Sequence, residues 1–221
     1  MKRITVIVGH YGSGKTEFAI NYALHLVRQG LKTALVDLDI ANPYFRSRER
    51  QELLEEEGIA LYSNVFGRDI TSDLPALDPG IRAPLEDKDC HVVLDAGGDD
   101  SGARILIQYR KYLTNPEETE ILFVLNGNRP ETDTAEKNIR YLKTIEAEIG
   151  LPVTALVNNT HMLRETTRED LDKGMELARE VSDLAGIPIK YHSIIKERMP
   201  VSCQEDVFPL TLFMRPEWLD R

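Results

Sequence analysis

Gly9-His10-Tyr11-Gly12-Ser13-Gly14-Lys15-Thr16 lies between an apolar run, Ile4-Thr5-Val6-Ile7-Val8, and a helical pattern that continues to about Gln29. The octapeptide fits GxxxxGK[ST], and each residue type has a physical reason. Glycines let the backbone curl until successive N–H groups point inward at phosphate oxygens, and the helix behind adds the positive end of its dipole. Lys15 is expected to reach the β- and γ-phosphates, and the Thr16 hydroxyl to ligate Mg2+. Gly9, Gly12, Ser13 and Gly14 supply the backbone of this phosphate loop. The bland alternative is a glycine-rich strand–turn–helix connection with a lysine on its first turn. The strand before and the helix after are the context that the phosphate-binding motif demands.

Outward from the loop, short apolar runs alternate with longer helical patterns, the rhythm of βαβ units and a parallel sheet. Further strands are expected at Thr33–Asp37, Ile59–Phe66, His91–Asp95, Glu120–Leu125, Pro152–Val157 and Ile187–Tyr191. Helices are expected near Arg48–Glu57, Ala103–Leu113, Thr132–Ile149 and Glu169–Leu184, with Gly30, Gly58 and Gly150 as closing glycines. Residues 67–90, proline-rich and without periodicity, read as a surface loop. The stretch Val207–Arg221, with Pro209, Pro216 and the lone Trp218, reads as a packing arm. No internal repeat divides residues 1–221. The expected fold is a single doubly wound α/β domain, with a mostly parallel sheet of six or seven strands and helices on both faces.

Composition narrows the partners. Of 221 residues, 42% are hydrophobic, and 27 Lys and Arg against 37 Asp and Glu leave a net charge of −10. Such a balance repels phosphate backbones and anionic headgroups, so neither nucleic acid nor membrane is an expected partner. The run Ile4–Val8 is too short for a secretory core, which takes roughly 7–15 apolar residues, and no stretch approaches the ~20 of a membrane helix. Cys90 and Cys203 match no metal or redox spacing, which fits a reduced, cytoplasmic protein.

Ligands of open α/β sheets bind past the carboxyl ends of the strands, which directs attention to strand-end carboxylates. Asp95 ends Val92-Val93-Leu94 and leads into Gly97-Gly98, where a glycine N–H can sense a γ-phosphate; Asp37 and Asp39 end the Thr33 strand. A helix cap or turn is the ordinary role of a single such aspartate. The phosphate loop, Val36-Asp37-Leu38-Asp39 and Leu94-Asp95-Ala96-Gly97-Gly98-Asp99 together resemble the MinD/ParA/CobQ-type ATPases, including the nitrogenase iron protein. The resemblance implies that Asp39 positions or activates the attacking water and that Asp95 holds the Mg2+ shell, both through water. One departure stands out: that family carries a lysine just after the first glycine, reaching into the partner subunit's nucleotide, whereas here the position is His10. A neutral imidazole does not replace a permanent cation, so trans-activation by a homodimer loses support.

Guanine is commonly read by [NT]KxD after a strand. Here Asn158-Asn159-Thr160-His161 follows the apolar run, and no [NT]KxD occurs in the chain. A carboxamide can pair bidentately with adenine N6 and N7, and the resembled family uses a strand-end asparagine matching Asn158 in this way. The other reading is an Asx-turn. ATP with Mg2+ is therefore the expected ligand. Arg46 and Arg48 follow Asp39 and are candidate cations in cis, or else a solvated basic face. The histidines show no metal-ligand spacing, and the cysteines are misplaced for an iron–sulfur cluster. The resulting expectation is an ATPase, slow in isolation, that switches an unidentified protein partner. An ATP-dependent kinase or ligase acting on a small metabolite is the alternative.

Overall fold

The computed structural model describes residues 1–39, 50–63, 79–98, 100–199 and 206–214. Eight strands form one sheet: β1 (Ile4–Val8), β2 (Thr33–Asp37), β3 (Ile59–Ser63), β4 (His91–Asp95), β5 (Thr119–Leu125), β6 (Ala155–Asn158), β7 (Ile189–Ile195) and β8 (Val207–Leu210). Their order is β3-β2-β4-β1-β5-β6-β7-β8, and every pairing among the described residues is parallel. Six helices connect them: α1 (Lys15–Arg28), α2 (Gln51–Glu56), α3 (Arg82–Glu86), α4 (Asp100–Leu113), α5 (Ala135–Ile149) and α6 (Arg168–Ala185).

The strands read as near-continuous apolar runs because both faces of the sheet are covered. Ile4, Val6 and Val8 of β1 point to one face, where Leu106, Leu142 and Val181 of α4, α5 and α6 pack. Ile7 points to the other, against α1, Leu54 of α2 and the β8 segment. This is the doubly wound architecture. The order reverses at β1, which has β4 on one side and β5 on the other, so a crevice opens past its carboxyl end.

Three expectations need correction. Within the supposed loop 67–90, residues 79–90 are not irregular: a 3-10 turn at Pro79–Ile81 runs into α3 and buries Ile81 and Leu85 in the core. Residues 64–78 lie outside the described residues. The supposed arm contributes an eighth strand, with Phe208 and Leu210 buried. Pro209 is tolerated there because β8 is an edge, where a missing N–H leaves no ladder bond unmade. Ile187–Tyr191 becomes Ile189–Ile195, longer at its carboxyl end, with β8 paired along it.

Candidate nucleotide-binding site

The loop between β1 and α1 can be built only with glycine at its bends. Gly9, Gly12 and Gly14 have φ of 149°, 75° and 84°, which L side chains rarely adopt. A Cβ on Gly9 would fall 2.3 Å from the Val124 carbonyl oxygen of β5, and one on Gly14 would fall 2.3 Å from Asn159 Nδ2. The loop closes on itself where the Ser13 N–H donates to the His10 carbonyl at 3.1 Å, and Lys15 Nζ donates to the same oxygen at 3.1 Å. The Ser13 hydroxyl is buried without a partner.

Two neighbours hold this loop from outside. Asn159 Nδ2 donates to the Ser13 carbonyl at 2.7 Å, and Asn159 Oδ1 accepts from Ser193 Oγ of β7 at 2.7 Å. Arg129, past the end of β5, donates its Nε to the Gly12 carbonyl at 2.9 Å. Sequence reasoning missed Arg129 and undervalued Asn159. The available signal was position, since both lie just beyond strands that flank or neighbour β1.

The carboxylates converge on the same crevice. Register sets Asp37 beside Asp95, and the Leu38 N–H donates to the Asp95 carbonyl at 2.9 Å. Asp37 Oδ1 accepts from the Asp39 N–H at 3.1 Å, an Asx-turn that presents Asp39, half-buried, at the rim. Asp95 is wholly buried, and burial together with the neighbouring Asp37 pushes its pKa up to about 8. Lys15 and the Thr16 hydroxyl pull it back down, yet no donor completes a well-aligned hydrogen bond to either carboxylate oxygen. An orphaned carboxylate beside Thr16, Asp37 and Asp39 is an all-oxygen environment suited to a hard divalent cation such as Mg2+.

Gly98 lies across the mouth of the loop. A Cβ there would come within 2.6 Å of both Lys15 Nζ and the Tyr11 backbone nitrogen. The Gly98 carbonyl accepts from Tyr141 Oη of α5 at 2.7 Å, and the Tyr141 ring meets His10 edge-on at 4.9 Å. His10 is thereby packed against an aromatic ring and the loop itself.

Asn158, at the end of β6, bonds within the fold. Its Oδ1 accepts from the Thr160 N–H at 3.1 Å, and its Nδ2 contacts His192 Nδ1 at 3.0 Å. Each atom keeps one further hydrogen-bonding position, a lone pair on Oδ1 and an N–H on Nδ2. Arg46, Arg48, Asp99, Cys203 and Trp218 lie outside the described residues. Among the described residues no cluster of His, Cys, Asp and Glu has the make-up of a protein-only metal centre, and no helix is long and apolar enough to cross a membrane.

No protein-family model matches the chain. Its curated relatives include the signal recognition particle 54 kDa proteins of Pyrobaculum neutrophilum and Methanococcus vannielii. The first is 29% identical over 143 residues, 63% of this chain and 31% of that protein. The second is 28% identical over 153 residues, 67% of this chain and 32% of that protein. The chain thus spans about a third of the length of these relatives. Among solved structures, chloroplast FtsY from Physcomitrella patens superposes with a TM-score of 0.57 at 22% identity, covering 87% of this chain and 58% of that one. The signal recognition particle 54 kDa protein from Aeropyrum pernix in complex with GDP gives 0.55 at 24% identity, covering 86% and 40%. The fold is that of a P-loop NTPase. These likenesses are to signal recognition particle 54 kDa and FtsY proteins, and the MinD/ParA-type resemblance is not confirmed by them.

Proposed function

We propose that this protein is a nucleotide-dependent switch that binds Mg-ATP, hydrolyses it slowly and acts on a protein partner. The observation that carries the reading is the glycine-bent loop of residues 9–16, held at Gly12 and Ser13 and facing a buried carboxylate that lacks a partner. Gly12, Gly14 and Thr16 would offer backbone N–H groups to phosphate oxygens, and the Ser13 N–H would leave the His10 carbonyl to join them. The Lys15 ammonium, now on the His10 carbonyl, would exchange that acceptor for phosphate. Thr16 would hold Mg2+ directly, and Asp95 and Asp39 through water. Bound Mg2+ would supply charge neutralisation for Asp95 and the phosphates together.

Gly98, already against Lys15, would offer its N–H to the terminal phosphate, so its position would differ between triphosphate and diphosphate states. Asp39 at the rim would orient the attacking water. The Aeropyrum pernix structure is a complex with GDP, which makes GTP the natural rival ligand. Against it stands the absence of a guanine-reading aspartate: the positions are filled by Asn158-Asn159-Thr160-His161. The relatives are named as a signal recognition particle protein and a signal recognition particle receptor, which supports a partner-directed switch over a free-standing metabolic enzyme.

Calorimetric titration of wild type and Lys15→Ala with Mg-ATP tests the phosphate site. Affinity is expected to fall at least tenfold, about 1.4 kcal/mol, in a variant with an unchanged circular dichroism spectrum. Equal binding by a folded Lys15→Ala would sink the reading.

A further inference from the structure

Past the end of β6, His161 turns toward the phosphate loop. His161 is half-buried, and its enclosed Nε2 has no hydrogen-bond partner. That nitrogen lies 3.3 Å from where a Cβ on Gly14 would stand, at the junction of the phosphate loop and α1. Its other nitrogen, Nδ1, accepts the Leu163 backbone N–H at 3.1 Å. An acceptor nitrogen carries no proton, so the neutral ring bears its hydrogen on Nε2. Burial and the nearby Arg129 guanidinium hold the pKa down to about 4, which keeps the ring neutral at physiological pH.

The backbone that aims this ring is itself unusual. Leu163 has φ of 54°, the one non-glycine residue with positive φ among those described. A leucine held in the left-handed region is strained, and such strain concentrates where a group must be positioned. Here it delivers the N–H that fixes the tautomer. The Thr166 hydroxyl secures the same turn, donating to the Leu163 carbonyl at 2.5 Å and accepting from the Met162 N–H at 2.9 Å.

We propose that His161 is the base-reading residue of the nucleotide site, presenting a fixed Nε2–H donor that selects adenine and rejects guanine. The inference rests on the nucleotide-binding reading and names its specificity. A nucleotide whose phosphates occupy residues 9–16 lies past the carboxyl ends of the strands, the side of the sheet on which residues 159–163 meet the loop. Asn159 already ties that segment to the loop. Counted from Asn158, His161 falls at the place of the aspartate in [NT]KxD, which accepts from guanine N1–H and the 2-amino group. A donor at that place meets two guanine donors, whereas adenine offers N1 as an acceptor. A site whose hydrogen-bonding sense is mismatched discriminates strongly, because a buried polar group is left unpaired.

The test is calorimetric titration with Mg-ADP, Mg-GDP and the Mg complex of 1-deaza-ADP, in which the accepting N1 is replaced by C–H. Wild type should bind ADP at least tenfold more tightly than either other nucleotide. His161→Ala should bring ADP and 1-deaza-ADP to within twofold of each other. His161→Asp, which restores an acceptor, should favour GDP over ADP. Wild type binding ADP and 1-deaza-ADP equally would overturn the proposal without reference to any variant's folding. Tight but unselective binding would refute His161 as the reader while leaving the phosphate site intact. Failure of all three nucleotides to bind would overturn the nucleotide-binding reading and this inference with it.

Discussion

A carboxyl group enclosed by protein with both oxygens unpartnered, as Asp95 is, works against the stability of the nucleotide-free chain and in favour of cation binding. The sign follows from its raised pKa. Between about pH 4, where the unfolded carboxyl titrates, and about pH 8, where the folded one does, the folded chain holds a proton that the unfolded chain has lost. Stability contributed by this group therefore falls as pH rises through that window. Asp95→Asn removes the effect: thermal melts of the nucleotide-free proteins should show the variant gaining on wild type from pH 5 to pH 8. Mg2+ should at the same time cease to strengthen its nucleotide binding. A melting difference that is flat with pH would mean that Asp95 is not held protonated. At this scale the sequence was informative where chemistry follows a local pattern. Lys15, Thr16, Asp95 and the three bent glycines could be picked out from eight-residue and five-residue strings. The tethers Asn159–Ser13 and Arg129–Gly12 join residues 146 and 117 positions apart, and no local string encodes such contacts.

The first helix shows how one element joins the phosphate loop to the far end of the chain. Its outer side binds the segment after β8 through side chains acting on backbone. Asn21 Nδ2 donates to the Thr211 carbonyl at 2.9 Å, and Asn21 Oδ1 accepts the Thr211 N–H at 2.8 Å. Glu17, one residue beyond Thr16, accepts from the Phe213 and Met214 N–H groups at 2.5 and 3.1 Å. Burial raises the Glu17 pKa, and the two backbone donors oppose that rise. Asn21→Ala leaves a buried donor and acceptor unmet, a loss of about 1–3 kcal/mol. In a domain of this size that is a fall in Tm of roughly 2–4 °C for each kcal/mol. Hydrogen exchange should quicken across residues 207–214 and remain slow in β1 and β5; uniform loosening would mean that Asn21 supports the whole core instead. Helix ends were readable where their caps are local: Gly30, Gly58 and Gly150, the expected closing glycines, adopt positive φ after α1, α2 and α5. β8 was not readable, since four residues with a proline in their midst lack strand periodicity. Pairing with β7 and the burial of Phe208 and Leu210 make it a strand.

At the scale of the whole molecule, the alternation of apolar runs and helical patterns was enough to call for a parallel sheet, because both-face burial writes itself into every strand. Strand order was not written there: β1 lies between β4 and β5 through packing that the sequence states nowhere locally. That order brings Asp39, Asp95, Lys15 and Gly98 to one crevice and leaves His10 edge-on to Tyr141 instead of offering a lysine's cation. The consequence is kinetic. Phosphoryl transfer to water requires an oriented nucleophile and added positive charge as the transition state forms. Asp39, held out by the Asx-turn on Asp37, meets the first requirement. The second has no lysine after Gly9 to meet it, so the purified protein should turn over well below the ~10 s⁻¹ of a typical enzyme. Asp39→Asn keeps the shape and loses the proton acceptor, and should cut phosphate release by roughly a hundredfold while ATP still binds, the scale of general-base effects. Arg129, whose guanidinium rests on Gly12, is a described cation placed to supply charge in cis, and Arg129→Ala should lower the residual rate more than it weakens binding. Single-turnover phosphate release beside equilibrium titration separates these effects. Rapid turnover by wild type alone would refute the slow switch, and full activity in Asp39→Asn would move the water-orienting role to another carboxylate of the crevice.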